Sequence, residues 1–155
     1  MTGRYLDDFA VGQVFRSGGI RVEADRIKSF AAEFDPQPFH LDPEAATHTF
    51  FRGLVASGWH TAALTMRLLA DSELKPAGGI IGLGFEELRW PRPVRPGDEL
   101  SLQAEVLEVR PSQSRPEQGL IKIRVTTLNQ TGEAVLMQVG TLLVRRRVSA
   151  SGGQL

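Results

Sequence analysis

The stretch from His60 to Ala70 constrains the fold of this 155-residue chain more than any other. Ala62, Ala63, Leu64, Met66, Leu68, Leu69 and Ala70 would surround every side of a helix, and Arg67 is the sole charge before Asp71. A helix without a polar face has to be buried on all sides. Ser57 stands just ahead of it as an N-cap, and Pro76-Ala77-Gly78-Gly79 breaks the chain behind it.

The wrapper for that helix is legible downstream. Ile81, Leu83 and Phe85 alternate, then the phase shifts to Leu88 and Trp90, which predicts a bulge near Glu86-Glu87. Leu100, Leu102, Ala104 and Val106 alternate, and so do Ile121, Ile123, Val125 and Thr127. Val135 to Val144 is apolar in both phases, as a central strand covered on both faces should be. Upstream, Val14 and Phe15 open a first strand, with Ile20 and Val22 after a Gly-Gly kink. A helix follows, its stripe made by Ile27, Phe30, Ala31 and Phe34, and Asp35-Pro36 ends it. Asp42-Pro43 starts a further short helix. This order predicts an α+β fold, an antiparallel sheet of about five strands wrapped around a long buried helix.

The length suits one domain, expected over residues 1–148, with a small polar tail over 149–155. Eighteen Lys and Arg balance eighteen Asp and Glu, so no basic field exists to hold a nucleic-acid backbone. The absence of cysteine excludes disulfides, Cys-based zinc sites and a thiol nucleophile, and it fits a reducing cytoplasmic setting. No apolar run follows Arg4, so no signal peptide is expected, and no segment is apolar for long enough to span a membrane.

The densest chemistry lies in Phe34-Asp35-Pro36-Gln37-Pro38-Phe39-His40-Leu41-Asp42-Pro43. An acid and an imidazole stand five residues apart across a turn stiffened by two prolines, which holds two side chains towards one point at low entropic cost. The segment Asp35-Pro36-Gln37-Pro38-Phe39-His40, followed by Asp42-Pro43-Glu44-Ala45-Ala46, resembles the MaoC-like, or R-specific enoyl-CoA hydratase, family. Ser57-Gly58-Trp59 is similar to that family's glycine at the head of the buried helix. Pro93-Val94-Arg95-Pro96-Gly97-Asp98 is similar to its Gly-Asp turn between strands. Gln37 takes the place of the family's Asn, and Trp59 that of a flexible residue such as Met. The likeness runs from about Phe9 to Val144.

The resemblance implies a hotdog fold, a homodimer or higher homo-oligomer, and an acyl-CoA thioester as substrate. Coenzyme A is then part of the substrate, with no other cofactor and no metal. Asp35 and His40 would hold one water and exchange its protons with a trans-2-enoyl-CoA, giving a (R)-3-hydroxyacyl-CoA, or the reverse. Gly58 would offer its backbone N–H to the thioester oxygen, because a helix N-terminus presents free donors and a positive dipole end. Gln37, Phe39, Ser57 and Trp59 are the expected substrate contacts. A thioesterase or a non-catalytic acyl-thioester-binding subunit on the same fold are the alternatives.

Other polar residues have plainer readings. Ser57 lacks the Gly-x-Ser-x-Gly elbow of a nucleophile. The spacing of His40, His48 and His60 matches no familiar zinc pattern. His60 reads as structural, and His48 as surface. Trp59, Phe39 and Trp90 read as core or interface aromatics, with tunnel walls as their functional alternative. Arg89, Arg92 and Arg95 read as solvated cations, with coenzyme A phosphates as their functional alternative.

Overall fold

A computed structural model describes residues 2–147. The tail expected over 149–155 lies outside the described residues. After a 3-10 turn at Leu6–Asp8 come strands β1 (Val14–Arg16) and β2 (Ile20–Arg21). Three helices follow, α1 (Ala24–Phe34), α2 (Pro38–Leu41) and α3 (Pro43–Ala46). The long helix α4 (Gly58–Asp71) leads into β3 (Ile81–Arg89), β4 (Glu99–Pro111), β5 (Gln118–Leu128) and β6 (Ala134–Arg145).

The strands form one antiparallel sheet in the order β1-β4-β5-β6-β3, with β2 also paired to β4. The helix α4 packs against β4 and β6. This is the hotdog arrangement, one sheet curled on one helix. Strand alternation decides which side chains meet α4. Leu100, Leu102, Ala104 and Val106 of β4 are buried, as are Ile121, Ile123 and Val125 of β5. The register sets Leu102 opposite Thr127 and Ala104 opposite Val125. Thr127 in turn meets Thr65 of α4, hydroxyl to hydroxyl at 2.7 Å, with both side chains buried. A satisfied polar pair between apolar surfaces fixes one placement of the helix, since any slide leaves both hydroxyls without partners.

The bulge expected near Glu86-Glu87 lies between Phe85 and Glu87, and a second lies between Gly82 and Gly84. β6, the strand apolar in both phases, lies inside the sheet between β5 and β3. Two expectations need correction. α4 is not enclosed within one chain, because Trp59, Ala63, Met66 and Ala70 are exposed along one face. On α1, Ile27 and Ala31 are buried, whereas Phe34 is largely exposed and rests against Phe30 at a ring separation of 5.1 Å.

Leu102 sits at the centre of the core and is 1% exposed. Leu102→Ala is predicted to destabilise the fold by about 2–5 kcal/mol. The check is a lower midpoint in denaturant unfolding at an unchanged slope.

Candidate active site

The site is assembled where α2 meets the head of α4. Asp35 ends α1, because the following proline denies it helical geometry. Pro38 then starts the single turn α2 at its first position, which the sequence showed only as a stiff turn. That turn carries His40 inward, so that it is buried, while Phe39 stands edge-on against the imidazole at 4.6 Å.

The extended segment Val55-Ala56-Ser57 locks this turn in place. Val55 N–H donates to the Phe39 carbonyl at 3.0 Å, and Ala56 N–H donates to the Val94 carbonyl at 2.8 Å. The Val55 carbonyl lies 2.7 Å from His40 Nδ1. A carbonyl only accepts, so Nδ1 carries the proton and Nε2 is the nitrogen left for chemistry. Nε2 lies 3.3 Å from Asp35 Oδ2. Acid and imidazole therefore converge, as the motif predicted.

Asp35 is held by further donors. Ser57 Oγ donates to Oδ2 at 2.6 Å, and Gln37 Nε2 donates to Oδ1 at 2.5 Å. The Ser57 hydrogen bond does most to hold the Asp35 carboxyl below the ordinary carboxylate range, and Gln37 acts in the same direction. Partial burial opposes these two hydrogen bonds and is outweighed. Asp35 is thus ready as an anion at neutral pH.

The head of α4 supplies the electrophilic side. Ser57 caps the helix, its Oγ accepting from Trp59 N–H at 3.2 Å. Among the described residues no protein group accepts from the Gly58 N–H. Gly58 and His40 line the same cavity of about 390 Å³, together with Phe39, Phe51, Thr61 and Trp90. The Trp90 ring packs against Gly58, and its Nε1–H donates to the Gly58 carbonyl at 2.9 Å. Trp59 stands edge-on to Trp90 at 5.3 Å.

The expected substrate contacts divide. Phe39 lines the cavity. Trp59 is 59% exposed and braces Trp90 on the outer face of α4. Gln37 is exposed, with its amide committed to Asp35. Ser57 requires correction as a substrate contact, because it is 0% exposed and its hydroxyl is engaged by Asp35 and the Trp59 amide. His60 is buried and stacks on Phe30 at 4.7 Å, and burial holds its pKa below the ordinary value. Arg89 pairs with Glu87, Arg92 with Glu133, and Arg95 donates to the Phe51 carbonyl. Sequence reasoning missed Val55, whose contribution is a backbone carbonyl with no residue signature. Trp90 and Phe39, read first as core or interface aromatics and second as tunnel walls, both line the cavity.

Residues 8–129 match the family described as MaoC like domain. The chain belongs to the MaoC-like domain family. This MaoC-like domain is similar to a solved MaoC-like dehydratase from Rhodospirillum rubrum, at 56% identity and TM-score 0.90, covering 94% of this chain and 99% of that one. It resembles the R-hydratase PhaJ1 from Pseudomonas aeruginosa at 29% identity and TM-score 0.73, covering 94% and 88%. The uncharacterized protein YdeM of Bacillus subtilis is 36% identical over 141 residues, covering 91% of this chain and 99% of YdeM. The α+β fold and the membership of a hydratase and dehydratase family thus stand on sequence and structure alike.

Both tryptophans of the MaoC-like domain sit at the head of α4, so tryptophan fluorescence, excited selectively over Tyr5, reports on this corner. A Cβ on Gly58 would come within 2.8 Å of the rigid Trp90 ring. Gly58→Ala is therefore predicted to displace Trp90, shift the emission maximum to the red, and cost about 1–3 kcal/mol of stability.

Proposed function

We propose that this protein adds water to the double bond of a trans-2-enoyl-CoA, or removes it from the corresponding 3-hydroxyacyl-CoA. The observation that carries the reading is the 3.3 Å approach of His40 Nε2 to Asp35 Oδ2 beside the head of α4. An anionic carboxylate and an unprotonated Nε2 are both acceptors, so a water between them donates one hydrogen to each. As its oxygen bonds to the β-carbon, that water gives up one proton to the pair. The π bond breaks towards the α-carbon, which takes one proton from the pair. The proton taken from water at one acceptor is the one delivered to the α-carbon, directly or after crossing between Oδ2 and Nε2, so the pair ends as it began.

Charge also develops on the thioester oxygen. The Gly58 N–H, at the positive end of a fourteen-residue helix, is the donor placed to receive it. Coenzyme A enters as part of the substrate, and no other cofactor is required for this proton bookkeeping. The likeness to an R-hydratase supports the (R)-3-hydroxyacyl product.

The test mixes the protein with trans-2-enoyl-CoAs of several chain lengths and follows enoyl absorbance and free thiol together. Loss of enoyl signal without thiol is expected, with the product of R configuration. Thiol release would indicate a thioesterase, and no change a binding subunit. Asp35→Asn and His40→Ala are each expected to lower turnover by about 10²–10⁴-fold in a folded protein.

We further propose that the protein works as a homodimer. β3 pairs with β6 on one side only, and Ile81, Leu83 and Phe85 are exposed along it near the exposed face of α4. A long apolar edge strand invites pairing with a second copy. In a two-fold contact a new charge meets its own copy or a close neighbour. Leu83→Glu is thus expected to shift the mass seen in sedimentation from two chains towards one.

A further inference from the structure

We propose that Ser57 is a positioning residue: its hydroxyl turns the Asp35 carboxylate towards His40 and joins it to the first turn of α4. This rests on the hydratase reading for its kinetic consequence, though not for its geometry.

A hydroxyl has one hydrogen to give and two lone pairs to offer. At Ser57 both kinds of contact are assigned without ambiguity. The Trp59 amide can only donate, at 3.2 Å, and an ionised carboxylate can only accept, at 2.6 Å. The hydrogen of Ser57 must therefore point at Asp35. Accepting from a helix N-terminal amide polarises the hydroxyl and makes it a better donor, so the two bonds reinforce each other.

The choice of oxygen matters. Ser57 binds Oδ2, the oxygen that faces His40 Nε2. Gln37 binds Oδ1 from an exposed position, where water competes for the same lone pairs. Ser57 is 0% exposed, so in the folded protein its hydroxyl meets Asp35 without competition from bulk water. Capping α4 needs only the Trp59 contact. The bond to a carboxylate twenty-two residues earlier is additional, and it has no use in starting a helix.

Capping and positioning separate with two variants. Glycine caps a helix at a cost of only a few tenths of a kcal/mol relative to serine, whereas alanine caps poorly; both lack the hydroxyl. The experiment follows the Asp35 side-chain carboxyl by ¹³C NMR against pH in the wild type, Ser57→Gly and Ser57→Ala, with Asp35→Asn identifying the resonance. Thermal melting, kcat and KM on a trans-2-enoyl-CoA are measured alongside. The expected result is an upward shift of the Asp35 titration in both variants alike, while Ser57→Ala melts at a clearly lower temperature than Ser57→Gly. kcat falls on the order of 10²-fold in both, as for a misplaced catalytic group, with KM little changed.

An Asp35 titration in Ser57→Gly identical to the wild type overturns the proposal, as does an effect on kcat that follows melting temperature and appears in Ser57→Ala only. The NMR arm needs no substrate. If the wild type hydrates no enoyl-CoA while the Asp35 titration still moves, the hydratase reading fails and the positioning of the carboxylate stands.

Discussion

The three residues Val55, Ala56 and Ser57 are the constraint on which the site depends. They run extended between the short helices and α4, and each is bound on a different side. Val55 takes and gives hydrogen bonds with the turn that bears His40. Ala56 is tied to the connection between β3 and β4 through Val94. Ser57 holds Asp35 and starts α4. Acid, imidazole and helix terminus come from separate parts of the chain, and this strip sets the distances among them.

Much of this was legible before any coordinates. The apolar helix, the alternating strands and the shift of phase near Glu86 each follow from side-chain periodicity, which the backbone imposes directly. The Asp35 and His40 pair was legible because two prolines restrict the turn between them. What could not be read depends on atoms with no residue identity or on distant packing. The carbonyl of Val55 selects the tautomer of His40, and any residue would supply it. Trp90 reads first as a core or interface aromatic and only second as a wall, and its contact with Gly58, thirty-two residues earlier, has no local signal. Ser57 was legible as a cap, but its second bond joins segments twenty-two residues apart, beyond any local pattern.

The corrected reading of α4 is informative in its own right. The sequence predicted a helix enclosed all round, and one chain encloses only part of it. The rule that an all-apolar helix must be buried is therefore met only on the face of α4 that packs against the sheet. Exposed Trp59 and Met66, with the bare flank of β3, mark where one chain falls short of covering itself.

The hydroxyl pair of Thr65 and Thr127 has a consequence for how such proteins diversify. It acts as an axial stop, since sliding or rotating α4 by a residue would strand two polar groups in a dry interior. The helix backbone is then a fixed rail. A change in the shape of the cavity beside it has to come from swapping the side chains that project from the rail, Thr61 among them, and leaves its course unchanged.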